Sequence, residues 1–178
     1  KAYKAMLKGA DQLENNPLRP GLENYIEKGF VTTKNKGSVS TTQEYNASDY
    51  AISLLTKALG NKKDYQRFKN RSLSYRKLYD KDLKLLRPRT ENGSFYEPFD
   101  PLSGANFEEN IGFIEGNAWQ YAFMVSHDIK GLIKLMGGDK PFSDQLQRVF
   151  DSKQFDMANE PDIAYPYLFN YVKGEEWR

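Results

Sequence analysis

Apolar residues recur at helical spacing along most of the chain, and the places where they stop delimit its elements. In "KAYKAMLKGADQ" Ala2, Tyr3, Met6 and Leu7 share one face and predict a helix over residues 1–14. Two prolines and Gly21 in "NNPLRPG" end it, because proline removes a helical donor. "LENYIEKG" reads as a short helical turn and "KNKGSVS" as a loop. "TTQEYNASDYAISLLTKALG" is a stronger helix. Thr41 and Glu44 have capping-box spacing, Tyr45, Ala51, Leu54, Leu55, Ala58 and Leu59 make an apolar stripe, and Gly60 stops it. "NKKDYQRFKNRSLSYRKLYD" follows at once, with Asn61 as its cap. Two helices joined by so short a turn must run antiparallel.

The pattern changes at residues 83–107. "LLRPRTENGSFYEPFDPLSGANF" is rich in turn formers, and Asn92-Gly93 signals a hairpin that Pro88 restricts to an edge pairing. A long insert of this kind inside a helical chain carries function or is a plain surface loop. Helices are then predicted again over "GNAWQYAFMVS", "HDIKGLIKLMGG", "KPFSDQLQRVFDSK" with Pro141 at its first position, and "PDIAYPYLFNYVKG" with Pro166 restarting or kinking it. No fixed-period repeat appears, so a regular solenoid is disfavoured.

Composition narrows the options. The 178 residues suffice for one ordinary domain, and 26 basic against 24 acidic residues leave no basic patch for nucleic acid or an anionic membrane. No apolar run approaches the roughly 20 residues of a spanning helix, and no signal peptide is visible. The absence of cysteine excludes disulfides and thiolate metal sites without fixing the compartment. Twelve Tyr, eleven Phe and two Trp fill a core or, in part, stack on sugars. The chain opens on Lys1 and closes on "GEEWR", so both ends read as cuts through a longer protein.

Candidate chemistry concentrates in "IEGNAWQYAFMVSHD", residues 114–128. Glu115 precedes a predicted helix, where it either complements the helix dipole or, buried against Phe113, Trp119 or Tyr121, keeps its proton as a general acid. Asn117 and Gln120 are amides on a largely apolar stretch, and sugar hydroxyls or backbone carbonyls would satisfy them. His127 and Asp128 are adjacent, so they do not face each other on a helix and read as a helix start. In "ANEPD", Asn159, Glu160 and Asp162 offer oxygens to a hard cation or cap a helix. No zinc motif, phosphate loop or nucleophile elbow occurs.

Taken in order, "SVSTTQEYNASDYAISLLTKALG", "RPRTENGSFYEPFDP", "EGNAWQY", "HDIKGLIKLMGG" and "NEPDIAYPYLFNY" resemble glycoside hydrolase family 92 from about residue 29 onward. The resemblance implies an all-α fold: part of an (α/α)6 toroid of antiparallel helical hairpins, with long loops and at most a short β-hairpin. Residues 1–178 would be a single segment of that catalytic barrel, cut at both ends. The family consists of calcium-dependent exo-α-mannosidases that invert the anomeric centre. The implied roles are Glu115 as general acid, Asn117, Trp119, Gln120 and Glu160 at the sugar, and Asn159 in a calcium subsite. The implied partners are a mannose-containing glycan and the rest of the same polypeptide, in a periplasmic or extracellular setting. The family's general base lies in a glycine- and aspartate-rich motif beyond the last residue here, and its β-sandwich domain is not in this sequence. Hydrolysis with inversion needs two carboxylates, so this piece alone is expected to be inactive. A non-catalytic helical scaffold or glycan-binding module is the alternative.

Overall fold

The longest helix begins where a distant loop allows it to. The computed structural model describes residues 1–105 and 108–176. In it helix α3 spans Ser38–Ala58, and Gly37 caps it in a left-handed conformation without a side-chain cap. The first amides of a helix have no intrahelical partner. Here Gly37, Ser38, Val39 and Ser40 donate to the carbonyls of Asn110, Ile111 and Gly112 over 2.7–3.2 Å. The helix therefore starts three residues before the expected capping box, and Thr41 and Glu44 lie inside it. Gly37 is required twice over: its φ is +62°, and a Cβ there would sit 2.3 Å from Cγ1 of Ile114.

Around α3 stand α1 (Ala2–Asp11), α2 (Leu22–Lys28) and α4 (Lys62–Arg71). Helix α1 ends earlier than residue 14. Gln12 is extended, and the Asn16 side-chain amide donates to the carbonyls of Gly9 and Gln12. Asn61 caps α4 as expected, accepting from the Asp64 amide at 3.1 Å. Helix α4 packs antiparallel on α3, but it stops at Arg71 and a 3-10 turn, Ser74–Leu78, replaces its expected last turns. The reason is lateral: Asn46 of α3 donates to the Arg71 carbonyl and accepts from the Tyr75 amide at 2.8 Å.

The apolar stripe of α3 also lies differently from expectation. Ala51, Leu54, Ala58 and Leu59 are exposed, whereas Asn46, Asp49, Ser53 and Thr56 are buried. Beside that stripe Met6, Ala10, Leu18, Ala51 and Ile52 line an open apolar groove.

A two-stranded antiparallel ladder follows, β1 (Tyr79–Asp80) with β2 (Leu85–Leu86), paired Tyr79 to Leu86 and Asp80 to Leu85. Asp80 builds its turn by accepting from the amides of Asp82 and Leu83. At Asn92-Gly93 the chain does reverse, but with only a single bridge, Arg89 to Phe95.

Residues 117–124 are not the predicted helix. They form overlapping turns, because tertiary donors take the carbonyls a helix would use. Gln43 donates to the carbonyls of Tyr121 and Met124, and the Tyr165 hydroxyl donates to that of Gln120 and accepts from the Phe123 amide. The burial expectation holds: Ala118, Tyr121, Ala122, Phe123 and Val125 are all in the main core.

Helix α5 (Ile129–Leu135), entered by a 3-10 turn at Ser126–Asp128, and α6 (Asp139–Asp151) complete that core. Helix α6 starts two residues ahead of Pro141, which takes the third position, not the first. The last expected helix is two 3-10 turns, Glu160–Asp162 and Tyr165–Tyr171. Prolines sit at the start of each, where the missing N–H is harmless. Among the described residues no helix is long and apolar enough to cross a membrane.

Candidate active site

The segment that caps α3 runs directly into Glu115. Asn110 turns it, its side-chain oxygen accepting from the amides of Gly112 and Phe113 at 2.8 Å, and Glu109 bridges to Ile114. Glu115 then adopts φ +55° and stands exposed. A left-handed backbone is uncommon for a residue with a Cβ, and it persists only where surroundings enforce it. They do so here. The Ile114 amide donates to the Ser40 hydroxyl at 3.1 Å, and the Ile114 carbonyl accepts from the Tyr121 hydroxyl at 2.5 Å. The Glu115 amide donates to the Glu108 carbonyl at 2.6 Å, and its carbonyl accepts from the Asn159 side-chain amide at 2.7 Å. Behind it Gly104, at φ +118°, could not carry a Cβ, which would meet the Gly116 carbonyl at 2.1 Å.

Glu115, Asn117, Gln120 and Asn159 are thus brought together. Asn117 is a turn residue: its oxygen accepts from the amides of Trp119 and Gln120, and its nitrogen donates to Gln154 at 2.9 Å. The Gln120 oxygen accepts from the Asn117 amide. Asn117 and Gln120 also line a wide, open cleft of about 420 Å³ with Lys153, Gln154, Phe155 and Asp156, which Glu115 does not line. Trp119 is partly buried against the main core and does not line that cleft. Glu160 is exposed, one residue beyond buried Asn159.

The charges converge on one phenol. Burial pushes the Tyr121 hydroxyl above its ordinary range; the Ser40 hydroxyl opposes this, and the carboxylates of Glu44, Glu115 and Glu160 add to it. Burial, then Glu160, also raises the Glu44 carboxyl. Glu44 was expected as a cap, and its place beside the site was missed. The available signal was spacing: Glu44 lies one helical turn from Ser40 and so shares its face. Asp162 is fully buried and its Oδ2 accepts from the Asp156 amide, while Oδ1 has no partner; burial holds this carboxyl up at about 6. His127 and Asp128 form no catalytic pair. The imidazole Nε2 lies 2.8 Å from the Ser72 carbonyl, and the carboxylate accepts from Tyr75 and Arg76.

A hard cation takes six to eight oxygens. Among the described residues no three histidines or carboxylates are grouped to hold a metal. Asn159 has committed its amide nitrogen to Glu115, so its carbonyl oxygen is the atom it has to offer a cation.

The described residues thus form a mainly helical unit with Glu115 exposed on a loop pinned from three elements. The chain is a member of glycosyl hydrolase family 92: its residues 1–178 match that family's catalytic domain throughout. A relative from Arthroderma benhamiae, described as an uncharacterized secreted glycosidase, is 29% identical over 168 residues, spanning 83% of this chain and 21% of its own. A family 92 α-mannosidase from Bacteroides thetaiotaomicron, solved in complex with mannoimidazole, is 33% identical with a TM-score of 0.87 over 99% of this chain and 25% of its own. An inverting mannosidase of the same family and organism shares the fold, with a TM-score of 0.85 at 22% identity over 96% of this chain and 26% of its own. The chain therefore spans about a quarter of the length of these relatives.

Proposed function

We propose that the chain is one segment of the (α/α)6 catalytic barrel of an inverting exo-α-mannosidase, a secreted enzyme that removes terminal α-linked mannose from glycans. The observation that carries this is the pinned Glu115, in a chain 33% identical to an α-mannosidase solved with mannoimidazole; in this segment Glu115 is exposed and not buried as expected, so the surroundings that would keep its proton come from the rest of the polypeptide. In the reaction the Glu115 carboxyl gives its proton to the glycosidic oxygen as the C1–O bond breaks, and the bond's electrons leave on that oxygen. Water attacks C1 from the opposite face and gives its proton to a second carboxylate. The chain spans about a quarter of the length of these relatives, and the second carboxylate is supplied by the rest of the polypeptide. The rest of the polypeptide covers the exposed stripe of α3 and the groove beside it.

Asn117, Gln120, Trp119 and Glu160 are the side chains this segment brings to the sugar. A calcium ion in the complete protein would polarise sugar hydroxyls, and the side-chain oxygen of Asn159 is what this segment would offer it. Chelation of the full-length enzyme should abolish turnover and calcium restore it.

The decisive test is Glu115→Gln in the full-length enzyme. General acid catalysis contributes about 10²–10⁴-fold, so turnover of a mannosyl disaccharide should fall by that factor. An aryl mannoside with a good leaving group needs little protonation and should fall far less. If Glu115 is only an exposed loop residue, with no helix following it whose dipole it could complement, the change leaves both rates near normal.

A further inference from the structure

The left-handed Glu115 raises a question that the acid role by itself does not answer: what holds an unfavourable backbone at an exposed loop. Three side chains from three separate elements bond the two consecutive residues there. Ser40 comes from α3, Tyr121 from the buried turns, and Asn159 from the segment before the last 3-10 turns. Tyr121 and Asn159 both donate, one to the Ile114 carbonyl and the other to the Glu115 carbonyl. The Tyr121 ring packs on Phe113 at 5.6 Å, and Asn159 is buried, so neither donor is free to swing away. Gly116 completes the fit: a Cβ there would come within 3.0–3.2 Å of Gln120, Asn159 and Tyr121.

We propose that Asn159 and Tyr121 are positioning residues for Glu115. Together they clamp the Ile114–Glu115 backbone so that the carboxyl group is presented in one direction. The inference rests on Glu115 being the acid, and it assigns Asn159 a role that does not require a metal. Without the clamp the backbone relaxes toward φ below zero, which turns the side chain away from the leaving-group oxygen. A misplacement of about 1 Å costs on the order of 10²-fold in rate.

The test uses the full-length enzyme with Asn159→Ala, Tyr121→Phe and Glu115→Gln side by side. Each is assayed on a mannosyl disaccharide and on an aryl mannoside with a good leaving group. Assayed at saturating calcium, so that the lost side-chain oxygen is not read as lost metal, Asn159→Ala should lower kcat on the disaccharide about 10²-fold, with KM little changed and a much smaller loss on the aryl substrate. Tyr121→Phe keeps the ring and should show the same imbalance more weakly. If Asn159→Ala does not fold, Tyr121→Phe decides the matter. Equal losses on both substrates, or a loss that added calcium restores, would overturn the clamp. If Glu115→Gln shows the leaving-group dependence and the clamp variants do not, the clamp fails and the acid assignment stands. If Glu115→Gln shows none, the acid assignment fails and the clamp falls with it.

Discussion

The α3–α4 hairpin and the Glu115 end of the molecule solve opposite problems. In the hairpin, helices satisfy the backbone internally, so the buried polar side chains are free to bond one another. Asp49 accepts from Arg71 Nε at 2.5 Å and Nη2 at 2.9 Å, from Tyr25 at 2.8 Å and from Arg19 at 3.4 Å. At residues 108–125 the backbone is irregular and, from Gly116 on, largely buried, so unpaired amides and carbonyls there would be costly. Side chains therefore bond backbone: Ser40, Gln43, Asn110, Tyr121, Asn159 and Tyr165 all do so. A polar residue beside an acid is thus as much a substitute for missing secondary structure as a ligand.

The largest stability effect should come from breaking the hairpin's ion network. Asp49→Ala would leave Arg71, whose side chain is only 11% exposed, with Asp11 and a single carbonyl as partners. Removing one member of a buried pair costs about 3–5 kcal/mol. Denaturant midpoints of the intact protein would measure it, and a loss below about 1 kcal/mol would mean that the network behaves as a surface pair.

How far the sequence reveals each region follows from the same contrast. Helices α3 and α4, the Asn61 cap and the tight turn between them were legible because their signals are local. The start of α3 was not, since its cap is the distant carbonyls of residues 110–112. Nor was the fate of 117–124, whose apolar spacing is helical but whose carbonyls are claimed by Gln43 and Tyr165. Of the candidate site, the sequence pointed to Glu115, Asn117 and Gln120, which the structure places together. Its link to Asn159 spans 44 positions, and no local pattern encodes it.

Asp162 sharpens the comparison by pH. Its carboxyl is held at about 6 by burial, against 3.8 unfolded; the Asp156 amide opposes the rise, and the Asp156 charge adds a smaller push upward. The unfolded chain therefore loses its proton first, and stability falls as pH rises from about 4 to above 6. A shift of that size corresponds to about 3 kcal/mol. Asp162→Asn can still accept from the Asp156 amide but carries no charge. The stability of the variant relative to the natural protein should rise by about that amount between pH 4 and pH 7. A difference independent of pH would show that this carboxyl is not held neutral.

The smallest effect should appear at Gln43, the residue joining the two regions. It sits on α3, but its nitrogen serves the carbonyls of Tyr121 at 2.9 Å and Met124 at 3.1 Å. Gln43→Leu fills a similar volume and removes both bonds. Unsatisfied buried carbonyls cost about 1–3 kcal/mol, but the Gln43 oxygen is itself buried without a partner, and leucine removes that burden. The net loss should therefore lie toward the low end, about 1–2 kcal/mol. More telling is where the loss appears. Residues 117–124 have no helical ladder to fall back on, so their amides should exchange with solvent faster, while those of α3 and α4 keep their protection. Equal acceleration in both places would mean that the two regions open as one unit, and the distinction between them would be one of appearance only.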